Sequence, residues 1–96
     1  MRTLVLTAAL VGNCVEVTGN TLVENTQYGG SIRRLITLSR GDLLRVVSRF
    51  VERSSQIRPC TKVITSTGEE LALDWEDANL VQICNASCEI FGAEGL

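Results

Sequence analysis

The sequence contains no histidine. Imidazole is the usual general base near neutral pH and the commonest metal ligand, so Ser-His-Asp and Cys-His catalysis are excluded at once. Carboxylate, lysine or cysteine chemistry needs a constellation of groups, and none is present. The chain has no P-loop, no dinucleotide-binding glycine motif, no EF-hand loop and no zinc-finger spacing. Aromatic residues make up only 4% of it, as Tyr28, Phe50, Trp75 and Phe91, too few for a platform that stacks single-stranded nucleic acid. Pro59 is the single proline. No apolar run approaches the ~18 residues of a membrane-spanning helix. These absences predict a non-catalytic protein with no catalytic residues, no cofactor, no metal and no membrane partner.

What is present suits one small domain. The 96 residues are 45% hydrophobic and carry a net charge of −2, too apolar and too weakly charged for a disordered chain. The expectation is a single α+β domain over residues 1–92, followed by a loose tail over 93–96.

At the amino end, Leu4, Leu6, Ala8 and Leu10 alternate with Thr3, Val5, Thr7 and Ala9, the period of a strand. A signal-peptide reading is weaker, because Arg2 stands alone as a basic flank and no small-residue cleavage site follows. Without a convincing signal, Cys14, Cys60, Cys84 and Cys88 are expected to be reduced thiols in the cytoplasm. On a helix, Cys84 and Cys88 would share one face, but a tetrahedral metal site would then need Cys14 and Cys60 too. Small buried hydrophobes are the preferred reading.

Further along, Gly19-Asn20 between β-prone runs predicts a hairpin over Cys14–Glu24, with Val17 facing Leu22 and Glu16 facing Val23. Asn25 to Gly30 reads as a loop and Ile32 to Leu38 as a strand. Ser39-Arg40-Gly41-Asp42 fits a helix N-terminus. Leu43, Val46, Val47, Phe50 and Val51 then follow helical spacing, giving a helix over residues 40–54. A second hairpin over Thr61–Asp74 turns at Thr67-Gly68, with Ile64 opposite Leu71 and Val63 opposite Ala72. Asp74 caps a second helix carrying Val81, Cys84, Cys88 and Phe91, although Val81, Ile83 and Ile90 also suit a strand. The order β-β-β-(β)-α-β-β-α predicts an antiparallel sheet of four to six strands, built on two hairpins and packed by one or two helices.

The charges are divided along the chain. From Arg33 to Lys62 there are eight basic and two acidic residues, a net +6, and the remainder carries −8. Such asymmetry produces local fields even when the total is small. On the expected helix Arg45, Arg49 and Arg53 form a stripe, with Arg33 and Arg34 just before it. The acidic counterpart is Glu69, Glu70, Asp74, Glu76 and Asp77 around Trp75, the only tryptophan. Buried aromatics dominate binding hot spots, so an exposed Trp75 would serve as an interface anchor; with so few aromatics for the core, packing inside at the start of the second helix is the preferred reading. The two charged regions could also meet, within one molecule or in a homodimer. In size, single-domain build and lack of catalytic equipment the chain resembles small inhibitors, immunity proteins and phage anti-defence proteins of the anti-CRISPR type. That likeness is one of type, carried by no residue motif. The function expected is a protein-binding inhibitor or adaptor acting through charged surfaces. The alternative is a nucleic-acid-binding protein that lays the Arg-striped helix along phosphates, against which the acidic remainder weighs.

Overall fold

The computed structural model describes residues 4–25, 34–53 and 57–89. Its backbone pairing lies in eight strands: β1 (Leu4–Val5), β2 (Cys14–Val17), β3 (Thr21–Asn25), β4 (Arg34–Leu38), β5 (Leu43–Arg53), β6 (Ile57–Thr65), β7 (Glu70–Asp74) and β8 (Gln82–Ala86). One helix, α1 (Trp75–Leu80), and a 3-10 turn at Leu6–Ala8 complete the described elements. Six strands form an antiparallel sheet in the order β1-β8-β2-β5-β6-β7, and β3 pairs with β4 as a separate ribbon. The expected antiparallel sheet is present, with far less helix than the sequence suggested.

The largest departure is at residues 40–54, where the helix is replaced by strand β5. The Ser39-Arg40-Gly41-Asp42 stretch is a β-turn and not a helix cap. Asp42 N–H donates to Ser39 O at 2.9 Å, the Asp42 carboxylate accepts Ser39 N–H at 2.8 Å, and Gly41 takes φ +95, which L side chains resist. In β5, Leu44 and Val46 are fully buried while Leu43 and Arg45 are half-buried, an alternation of period two. Its valines and Phe50 also favour extended backbone over helix. Tertiary pairing settles the competition, because β5 lies inside the sheet with β2 on one side and β6 on the other.

The first hairpin does not form either. Neither Gly19 nor Asn20 adopts the positive φ that a two-residue turn of this kind requires. Both edges of β2 are taken, by β5 and by β8, so β3 leaves the sheet and pairs with β4. The β4 strand matches the expected Ile32–Leu38 segment over its described part; Ile32 and most of the expected Asn25–Gly30 loop lie outside the described residues. The expected amino-terminal strand is shortened to Leu4–Val5, since the chain turns at Leu6–Ala8 to bury Leu6.

The second hairpin, β6–β7, does form, one residue out of the expected register. Val63 pairs with Leu71 and Ile64 with Glu70. Gly68 N–H donates to Thr65 O and Thr65 N–H to Glu69 O, both at 2.9 Å. The loop is therefore three residues long, and Gly68 at φ +90 closes it. Asp74 does cap α1, its Oδ1 accepting Asp77 N–H at 2.9 Å, but the helix stops at Leu80 and β8 follows.

One face of the large sheet supplies Val15, Val17, Leu44, Val46, Val63, Leu71, Leu73 and Ile83 to the core. Leu6, Val23, Leu38, Ala78 and Val81 close over it from the 3-10 turn, the ribbon and α1. Cys14 and Cys88 are joined in a disulfide with Cα atoms 5.2 Å apart, whereas Cys60 and Cys84 are free. This corrects the expectation of four reduced thiols. It also dismantles the four-cysteine metal arrangement and removes the ground on which a cytoplasmic location rested. Among the described residues, no helix is long and apolar enough to cross a membrane. The expected 93–96 tail lies outside the described residues.

Candidate protein-docking cleft

The arginine stripe depends on helical geometry, and β5 does not provide it. A β-bulge shifts the β5–β6 register between Val46 and Ser48. Before the bulge Arg45 lies opposite Ile64, on the face away from the core. After it Arg49 lies opposite Thr61, on the core-facing side. Arg45 and Arg49 are thus on opposite faces, and Arg53 ends the strand opposite Ile57. Arg34 is exposed on β4, while Arg33 lies outside the described residues. A continuous line of guanidinium groups for a phosphate backbone is absent from β5.

Arg49 has a specific placement. Its Nη2 donates to Leu6 O at 3.1 Å and to Thr7 O at 3.3 Å, pinning the exposed end of β5 to the 3-10 turn. Guanidinium offers five N–H donors in a planar fork, so among the described residues Nε and Nη1 remain for another acceptor.

The acidic residues divide by role. Asp77 Oδ2 accepts Glu24 N–H at 2.9 Å, so Asp77 ties α1 to β3. Glu70 pairs with Lys62 at 3.4 Å, a contact between the basic and acidic segments within one molecule. That half-exposed pair is worth at most about 1 kcal/mol. Glu69 is exposed beside the β6–β7 turn, and Glu76 is exposed on the first turn of α1.

Trp75 is 50% exposed, and the core is filled by aliphatic side chains without it. The scarcity of aromatics favoured a Trp75 packed into the core at the start of the second helix, and the structure corrects this by placing it at the surface. It lines a cleft of about 170 Å3 together with Val51, Pro59 and Arg49, while Phe50, Cys60 and Thr61 complete the wall. Val51 is 49% and Phe50 42% exposed. Helical periodicity assigned both to the core. The bulge carries Val51 to the Arg49 side and Phe50 to the other, and no sequence signal marks a bulge at Val47. The arrangement offers an apolar recess beside unused guanidinium donors.

No protein-family model matches the chain, and neither does any curated protein or solved structure.

Proposed function

We propose that this protein is a non-catalytic protein-binding module, of the inhibitor or adaptor type, which docks through the cleft at Trp75. Its occupant is a segment of a partner protein that carries an apolar side chain next to a carboxylate. The apolar side chain enters between Trp75, Val51 and Pro59, and the carboxylate meets Arg49. The observation that supports this reading is the half-exposed Trp75 beside an arginine with free donors. Exposed tryptophan and arginine are the residues most enriched at interface hot spots, and planar guanidinium recognises carboxylate in two-pronged fashion.

Trp75 is the only tryptophan, so its fluorescence reports on the cleft directly. The test titrates the protein with a short peptide holding one leucine flanked by glutamates, and with the same peptide flanked by lysines. A saturable blue shift with the acidic peptide alone supports the reading. Equal responses to both peptides, or no response to either, overturn it.

A further inference from the structure

Edge strands are where one chain pairs with another, and among the described residues the outer edge of β4 carries no neighbouring strand. In the ribbon, the carboxyl end of β3 is tied to the rest of the fold: Glu24 N–H donates to Asp77 Oδ2 at 2.9 Å, and Asn25 Oδ1 accepts Ala72 N–H of β7 at 3.0 Å. The Glu24 contact also sets the phase of the β3–β4 ladder. Residues opposite each other in an antiparallel pair alternate between exchanging backbone bonds and directing them away. Glu24 N–H points away from β4, so Leu35, opposite Glu24, points its N–H and C=O away from β3. Thr37, opposite Leu22, does the same. Among the described residues those groups have no other partner.

We propose that β4 pairs antiparallel with β4 of a second copy about a two-fold axis at Ile36, joining the two ribbons into one four-stranded sheet. This goes beyond the docking cleft and does not depend on it. Three observations carry it. The first is phase: Leu35 falls opposite the partner's Thr37 and Thr37 opposite the partner's Leu35, so every outward backbone group at these positions finds a complement. The second is the outer face of the ribbon. Leu22 and Leu35 are 59% and 60% exposed and lie diagonally across β3 and β4; the two-fold extends them into a row of four leucines. The third is charge. Exposed Arg34 falls opposite the partner's Leu38. Leu38 lines a cavity of about 200 Å3 between β4 and the β6–β7 turn, and Asp42 and Glu69 lie on its wall. Opposite signs therefore meet at both ends of the joined strands. A two-stranded ribbon is marginal by itself, and doubling it supplies the missing neighbours.

The test is sedimentation of the full chain with a pair of charge variants at exposed positions. Wild-type protein is expected to be dimeric at about 100 µM and to dissociate on dilution. The variant Leu35→Lys with Thr37→Lys places lysine opposite lysine twice and is expected to be monomeric, as is Leu35→Glu with Thr37→Glu. Mixing the two is expected to restore a one-to-one dimer through β4, with lysine opposite glutamate at both positions. Should the variants fail to fold, amide exchange of the wild-type protein decides, with exchange at Leu35 and Thr37 rising about tenfold as the dimer is diluted apart. A wild-type chain that is monomeric at the higher concentration overturns the proposal and leaves the edge to a strand from another protein. A dimer unaffected by the paired lysines, or a mixture that stays monomeric, overturns it as well.

Discussion

The carboxamide oxygen of Asn25 accepts the backbone N–H of Ala72 at 3.0 Å, although the two residues are 47 positions apart in the chain. Both are buried. Ala72 belongs to β7, the last strand of the large sheet, and its N–H points to that strand's outer edge. The contact joins the ribbon to the sheet by using a side chain where a further strand would stand.

Replacing Asn25 with alanine removes that acceptor and strands a buried donor. The expected loss is about 1–3 kcal/mol, read as a lower urea midpoint with an unchanged slope. An unchanged midpoint would show that Ala72 N–H finds another partner.

Asp74 and Asp77 each make a backbone-directed hydrogen bond that helps to hold α1. Asp74→Ala removes the cap on Asp77 N–H and is expected to cost about 1 kcal/mol. Asp77→Ala removes the acceptor for Glu24 N–H, at a cost of about 1 kcal/mol. Asp77→Asn keeps an oxygen there and should recover most of that loss. Thermal unfolding of the three variants checks the ranking.

The Cys14–Cys88 bond spans 74 residues and closes nearly the whole described fold into one loop. Native disulfides typically contribute about 2–4 kcal/mol, and the chain-entropy account puts a loop of this length at about 4 kcal/mol. Cys14→Ser with Cys88→Ser is expected to lose that amount. Reductant should lower wild-type stability equally and leave the double variant unchanged. Denaturation with and without dithiothreitol measures both.

Trp75 and Arg49 should separate when binding and stability are measured together. Trp75→Ala exposes little that was buried, so stability should change by less than about 1 kcal/mol, while hot-spot loss of about 2 kcal/mol weakens docking roughly 30-fold. Arg49→Lys should affect both, because one ammonium cannot hold the Leu6 and Thr7 carbonyls and present a planar fork to a carboxylate. Fluorescence titration and urea unfolding of the same two proteins give the comparison.

Several features were legible along the chain because they depend on neighbours in sequence. Asp74 as a cap, the turn containing Gly68 and the strand ending at Leu38 each follow from local backbone chemistry. The absence of histidine, the spread of charge and the solitary tryptophan needed no structure at all. Local pattern failed where two readings fitted the same residues. Leu43, Val46, Val47, Phe50 and Val51 satisfy a helical wheel, and they equally satisfy a strand interrupted by one bulge. Only the hydrogen-bonding edges offered by β2 and β6 choose between them, and those edges come from residues far away in sequence. The pairing of Cys14 with Cys88, the desertion of β2 by β3 and the meeting of Arg49 with Trp75 are likewise long-range. Spacing along a chain determines which faces a segment can present; which face is buried depends on what the rest of the molecule brings against it.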